Sequence, residues 1–340
     1  MMKQYLEKVI SKENLSFEES YYVMDQIMSG NINTSQLSGF LIALKAKKET
    51  PEEIAGFTKA MRDKSIKVNT DTSNLIDVCG TGGDYSGTFN ISTATAFVVA
   101  GAGARVAKHG NRSISSKCGS ADVLIELGIN INMPAEDTAR ALEEVGIAFL
   151  FAPNYHPAMK YAAAVRKELG IKTVFNLLGP LTNPAGTRKQ LIGVFNKDAS
   201  EVLSKAAMYL DMDKVCFINT GDRFDEISLT EPTCVYEYSK GGKGSFYEIS
   251  NETFDYPEVK IDELRGNTPE DNAAIILDLF EKRKTNSAFY VIAANAAMAL
   301  YCADFSDNLM DCRQAAEESI LNGSALLKLN ELKHFGEKAA

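Results

Sequence analysis

Four stretches of this 340-residue chain bring together residue types suited to holding an anion or its counter-ion. The first is Asp77-Val78-Cys79-Gly80-Thr81-Gly82-Gly83-Asp84, followed by Gly87-Thr88-Phe89-Asn90-Ile91-Ser92-Thr93. Glycines let the backbone approach an anion with its N–H groups exposed, and hydroxyls at the next helix start complete a phosphate cradle. The segment has neither the G-x-x-x-x-G-K-[ST] of a P-loop nor the G-x-G-x-x-G of a dinucleotide fingerprint. A tight strand-to-helix turn that needs glycine for geometry alone would read the same.

The second stretch runs Lys108-His109-Gly110-Asn111-Arg112-Ser113-Ile114-Ser115-Ser116-Lys117-Cys118-Gly119-Ser120. It is expected to begin directly after a strand, so its cations and hydroxyls gather at the C-terminal edge of a sheet, where α/β folds bind ligands. Lys108, Arg112 or Lys117, with Ser115, Ser116, Ser120 and main-chain N–H groups, suit a polyanion such as pyrophosphate. A solvated basic loop is the alternative, and His109 alone reads as structural. The third stretch is Asp225-Glu226, after Gly221-Asp222-Arg223-Phe224. Adjacent carboxylates in a loop can share Mg²⁺ with a phosphorylated substrate; an acidic surface pair looks identical. The fourth comprises Phe151 to Lys160, Arg166, and Phe175 to Pro184. Arg166, on a helix, either aims a planar donor pair at a carboxylate or is an ordinary surface arginine.

The elements that must position these residues fall into two groups. Up to about residue 65 the sequence predicts short helices only. Ser16 with Glu19 forms a capping-box pattern for a helix closed near Gly30, and Thr50-Pro51-Glu52-Glu53 opens another. Leu37, Phe40, Leu41 and Leu44 give an apolar stripe between them. From Leu75 short apolar strands alternate with helices, which predicts a mostly parallel central sheet in an α/β domain. The expected strands are Leu75–Cys79, Arg105–Ala107, Ile147–Phe151, Leu191–Phe195 and Val215–Asn219. Helices over Ala121–Leu127, Ala135–Val145 and Pro157–Leu169 each precede a glycine, Gly128, Gly146 and Gly170, that suits a left-handed cap. After residue 268 the chain reads as helical, with Ala288–Tyr301 strongly apolar and one last helix within Leu309–Leu332. The fold class is therefore α/β: a small N-terminal helical domain, residues 1–66, and a larger α/β domain, 67–340. Helices near 157–185 are expected to complete the first.

Composition excludes several classes. Hydrophobic residues at 45% and charged residues at 24% describe a globular chain, without the roughly 20-residue apolar run of a membrane span. A net charge of −9 opposes a broad nucleic-acid surface. The six cysteines contain no C-x-x-C pair and read as free thiols. The N-terminus, MMKQYLEKVISKENL, lacks a signal core, so a cytoplasmic location is expected.

Taken in order, GTGGD (Gly80 to Asp84), NIST (Asn90 to Thr93), KHGNR (Lys108 to Arg112), SSKCGSADVL (Ser115 to Leu124), FAPNYHPAMK (Phe151 to Lys160), FNLLGPLTNP (Phe175 to Pro184) and DEISL (Asp225 to Leu229) closely resemble the anthranilate phosphoribosyltransferase family over nearly the whole chain. The resemblance implies that phosphoribosyl pyrophosphate is held by Gly80, Gly83, Asp84 and Thr88, and by Asn90, Ile91, Ser92 and Thr93. The same donor would meet Lys108, His109, Gly110, Asn111 and Arg112, then Ser113, Ile114, Ser115, Ser116 and Ser120. It implies Mg²⁺ on Ser92, Asp225 and Glu226, and anthranilate at Gly80, Asn111 and Arg166, with His109 and the Ala152-Pro153 turn lining its path. A homodimer through the helical domain follows as an expectation, and a separate amidotransferase, the anthranilate synthase partner, remains open. Cys118 stands where the family commonly has serine, Ala164 where proline is frequent and Lys172 where arginine is usual. An aromatic amine is largely unprotonated at neutral pH, so no general base is nominated. A pyrimidine nucleoside phosphorylase, or a non-catalytic nucleic-acid-binding relative, are the competing readings of the same fold.

Overall fold

The computed structural model describes residues 2–83, 87–112, 118–242 and 244–338. Its N-terminal helices begin where the capping chemistry places them. Ser16 accepts the Glu19 N–H while the Glu19 carboxylate accepts the Ser16 N–H, opening the helix Phe17–Met28. Thr50 and Glu53 repeat this reciprocal pair at the helix Pro51–Asp63. Glu53 is fully buried and also takes the Leu15 N–H at 2.9 Å and the Lys47 ammonium at 2.8 Å. One cap therefore doubles as a link between three segments, and a carboxylate so enclosed is held by the partners that satisfy it.

The sheet has seven strands in the order β3-β2-β1-β4-β5-β6-β7. They are β1 (Leu75–Gly80), β2 (Arg105–Gly110), β3 (Ile147–Phe151), β4 (Lys189–Gly193), β5 (Lys214–Thr220), β6 (Thr233–Ser239) and β7 (Ser245–Ile249). The run from β3 to β5 is parallel, whereas β6 and β7 add in antiparallel sense at one edge. Both faces of the parallel part are covered. Val78, Val106, Ile147 and Leu191 pack against the helices Ile91–Gly101 and Ser287–Cys302. Ile192, Val194 and Phe217 join a second core with Phe40, Phe57, Ala162, Val165 and Phe175. Segments 160–181 thus pack with the N-terminal bundle although they are distant from it in sequence.

Three boundaries differ from expectation. Strand β2 continues past Ala107 to Gly110, so Lys108 and His109 lie within it and not in a loop beyond it. The Lys108 ammonium and the His109 main-chain N–H find polar partners there, described below, whereas His109 Nε2 is buried without one. Strand β4 starts two residues before Leu191 and stops at Gly193. Leu309–Leu332 holds two helices, Leu309–Leu321 and Ser324–Lys338, parted at Gly323 with φ +87°. Strands β6 and β7 were not expected. Gly128, Gly146 and Gly170 do take left-handed conformations at helix ends. No helix among the described residues is long and apolar enough to cross a membrane.

Candidate active site

The carboxyl ends of β1, β2, β4 and β5 converge on a cleft beside the helical bundle, and glycine is what allows the convergence. Beyond Gly80 the chain turns through Gly82 and Gly83 with φ +62° and +74°. The Gly82 N–H donates to Asp225 Oδ2 at 2.9 Å. A Cβ on Gly80 would stand 2.7 Å from that same oxygen, and one on Gly193 would overlap the Asp225 carbonyl. Asp225 is therefore seated in a slot that only glycines leave open. Its neighbour Glu226 takes the Ser92 N–H on Oε1 at 3.1 Å and the Thr88 hydroxyl on Oε2 at 3.4 Å. Gly80, Thr88, Ser92, Asp225 and Glu226, far apart in the sequence, thus meet at one place.

Lys108 lies just below. It is 3% exposed, and its ammonium donates to the Val78 carbonyl at 2.7 Å and the Ser92 hydroxyl at 3.2 Å. Burial pulls its pKa down, against the upward pull of Asp77, Cys79, Glu226 and Asp225. No group of three or more His, Cys, Asp or Glu forms a metal cluster among the described residues. Two hard carboxylates oriented by main-chain donors nevertheless suit Mg²⁺, which commonly takes one or two carboxylates and leaves its other positions to water and substrate phosphate.

The second loop continues the same edge. Gly110 has no room for a side chain, since a Cβ there would crowd Ser120 Oγ and stand 2.7 Å from the Phe149 ring. Ser120 donates its hydroxyl to the Asn111 carbonyl at 3.1 Å, and Arg112 lies 3.7 Å from Asp122. Ile91 and Thr93 are buried in the first turn of the helix that follows Asn90. Asp84, Ser113, Ile114, Ser115 and Ser116 lie outside the described residues, as does Lys117.

On the bundle side of the cleft, His109 and His156 are buried with ring centroids 5.4 Å apart. Burial lowers His109 to about 3, helped by His156 and Lys108 and opposed by the Gly179 carbonyl. It lowers His156 to about 4, opposed by the Thr182 carbonyl and helped by Lys67. Both rings are neutral at physiological pH. Ala152 and Pro153 open a short helix, Ala152–Tyr155, directly off β3. Arg166 is half-buried on the helix Lys160–Leu169, its guanidinium 5.2 Å from the Phe175 ring centroid, and burial holds it below the ordinary arginine value. The aromatic face thus lies within cation–π distance of its guanidinium.

The sequence reading named Asp77 and Lys172 without giving either a role at this site. Asp77 is wholly buried and accepts the His109 N–H at 3.0 Å, Asn183 Nδ2 at 2.8 Å and Gln190 Nε2 at 3.3 Å. It thereby ties β1, β2 and β4 to the Asn183 loop. A carboxylate inside the apolar run Leu75-Ile76-Asp77-Val78 was the signal, because a buried charge demands partners. Lys172 reaches across the cleft to the Gly83 carbonyl at 2.6 Å and lies 4.0 Å over Phe195. Nothing local to Lys172 announces that contact.

Comparison with known proteins agrees with this architecture. Residues 3–65 match the model of the glycosyl transferase family helical bundle domain, and residues 72–326 that of the family's a/b domain. An anthranilate phosphoribosyltransferase of Thermoanaerobacter sp. (strain X514) is 47% identical over 98% of this chain and 98% of its own length. The crystal structure of the anthranilate phosphoribosyltransferase of Thermus thermophilus superposes with a TM-score of 0.91 at 37% identity, covering 98% of this chain and 99% of that one. The Saccharomyces cerevisiae enzyme in complex with PRPP and Mg gives 0.89 at 27% identity, over 99% and 98%.

Proposed function

We propose the activity on the premise that the chain belongs to the anthranilate phosphoribosyltransferase family: it transfers the phosphoribosyl group of phosphoribosyl pyrophosphate to the amino group of anthranilate. The products are N-(5-phosphoribosyl)anthranilate and pyrophosphate, a step of tryptophan biosynthesis. The observation that carries this reading is the seating of Asp225 and Glu226 between the glycine turn and the Ser92 helix start. That arrangement sets two hard carboxylates, oriented by main-chain N–H groups, at the glycine turn and the helix start, the placement a magnesium-bound pyrophosphate requires. Ser92, Asp225 and Glu226 would hold Mg²⁺, which when bound would supply charge neutralisation for the leaving pyrophosphate.

The chain's own residues do the rest by placement. Gly80, Gly83 and Asp84, Thr88, the segment Asn90 to Thr93, the segment Lys108 to Ser116 and Ser120 hold the donor. Arg166 fixes the anthranilate carboxylate, with Gly80, Asn111, His109 and the Ala152-Pro153 turn shaping its approach. Anthranilate's amine carries a free lone pair at neutral pH, so attack on C1 needs orientation and not deprotonation. The C1–O bond to pyrophosphate breaks as the C1–N bond forms, and one amine proton passes to solvent. Positive charge on the ribose is matched by negative charge collected on the leaving group, which the site is built to stabilise.

Residues 1–66 act as the helical domain and form a homodimer contact, a reading supported by Ile10 and Ile42, which are 63% and 48% exposed there. The chain works in the cytoplasm. Loss of anthranilate fluorescence on mixing protein, phosphoribosyl pyrophosphate and Mg²⁺ tests the activity, with EDTA as control. EDTA-sensitive consumption is the expected result; no consumption by folded protein overturns the acceptor.

A further inference from the structure

Asn90 is the N-cap of the helix Ile91–Gly101, yet it makes no side-chain cap bond. An N-cap asparagine ordinarily uses its Oδ1 on the N–H two or three residues ahead. Here that oxygen accepts from Cys118 Sγ at 3.2 Å. The Ser92 N–H that the cap could have claimed goes to Glu226. Asn90's own N–H donates to Asn272 Oδ1 at 3.0 Å, across 182 positions of sequence. Asn272 is 1% exposed and is itself fixed, because its Nδ2 donates to the Thr268 carbonyl at 2.7 Å.

The contact is part of a wider strap. The Phe89 N–H donates to the Leu264 carbonyl at 2.8 Å, the Gly266 N–H to the Gly87 carbonyl at 3.0 Å, and Thr88 bridges Arg265. A Cβ on Gly266 would fall 2.5 Å from Phe89 Cα, so the two segments touch backbone to backbone. Asn272 anchors the end of this strap nearest the helix start.

We propose that Asn272 and Cys118 are a positioning pair for Asn90, one fixing its main chain and the other its carboxamide, so that the helix start is set to receive the phosphoribosyl donor. The proposal rests on the donor-site reading above. The thiol engages the amide oxygen and thereby decides which edge of the carboxamide carries the –NH₂ group. Neither residue is placed at the reacting atoms. Their effect is therefore on donor affinity and not on the chemical step.

The test is steady-state kinetics with Mg²⁺ present, in wild type, Asn272→Ala, Cys118→Ala, Cys118→Ser and Asn90→Ala, with donor binding followed in parallel by calorimetry. Asn272→Ala and Cys118→Ala are expected to raise the KM for phosphoribosyl pyrophosphate about fivefold, the scale of one lost hydrogen bond. The anthranilate KM and kcat stay within about twofold of wild type. Cys118→Ser, a better donor in the same place, restores the wild-type KM. Adding Cys118→Ala to Asn90→Ala brings no further change, because the thiol acts through Asn90. Unchanged donor affinity in Asn272→Ala, equal impairment of Cys118→Ser and Cys118→Ala, or a full Cys118 effect in the Asn90→Ala background overturns the pair. Cys118 is half-buried, so its variants decide the matter if Asn272→Ala does not fold. Wild type that fails to bind the donor overturns the functional reading itself, whereas wild type that binds it beside unaffected variants overturns the pair alone.

Discussion

Neutral, buried His109 and His156 make the fold sensitive to acid, and the size of the effect follows from their pKa values. In the folded chain they titrate near 3 and 4, against an ordinary 6.5. Between those limits the unfolded chain binds more protons, so stability is present above about pH 6.5 and is lost as pH falls through the window. At pH 5 each unfolded imidazole gains about 1.5 units of protonation free energy that its folded counterpart does not, or roughly 2 kcal/mol per ring at 1.36 kcal/mol per unit. The pair together removes about 4 kcal/mol between pH 8 and pH 5, a large part of a domain's usual 5–15 kcal/mol. Burial raises Asp77, which acts in the opposite sense and is common to every variant with Asp77 intact. Urea unfolding at the two pH values, in wild type and in the His109→Gln/His156→Gln double variant, isolates the pair. The double variant is expected to lose about 4 kcal/mol less than wild type over that range. Equal losses in the two proteins refute the reasoning, because the rings would then titrate alike in both states.

Two further outcomes bear on the cleft. Arg166→Ala removes a charged planar donor pair, so the KM for anthranilate is expected to rise at least about tenfold while the KM for phosphoribosyl pyrophosphate stays near wild type; saturation curves in each substrate measure it. Gly193→Ala drives a Cβ into the Asp225 carbonyl. The Asp225-Glu226 turn must move, which costs stability by about 1–3 kcal/mol and raises the Mg²⁺ needed for half-maximal activity by about tenfold; a Mg²⁺ titration beside thermal melts reports both.

Local chemistry made much of this fold legible. The Ser16–Glu19 and Thr50–Glu53 caps are complete within four residues, and the apolar cores of β1, β3 and β5 are bounded by glycine and polar turns. What depends on long-range satisfaction was hidden. Lys108 and His109 look like loop residues, yet they extend β2, where the Val78 carbonyl and the Ser92 hydroxyl take the Lys108 ammonium and Asp77 takes the His109 main-chain N–H. Strand β6 has partly solvated positions along Thr233-Cys234-Val235-Tyr236-Glu237, and β7 exposes Ser245 and Phe246, so neither resembles a buried parallel strand. At the site, the motifs named the glycine turn and the carboxylate pair that meet there. Asn272 went unremarked and Lys172 stood out only as a departure from arginine, because their contacts at the site reach residues far away in the sequence.

The proposed transfer is tested most directly by product stoichiometry. Protein, Mg²⁺, phosphoribosyl pyrophosphate and anthranilate are incubated, and pyrophosphate, anthranilate and phosphoribosylated anthranilate are quantified together, beside a parallel reaction with thymidine or uridine and phosphate. One pyrophosphate released and one N-(5-phosphoribosyl)anthranilate formed per anthranilate consumed, with the nucleosides intact, is the expected result. Phosphate-dependent release of base from the nucleosides, with anthranilate untouched, contradicts the assignment and makes the chain a nucleoside phosphorylase.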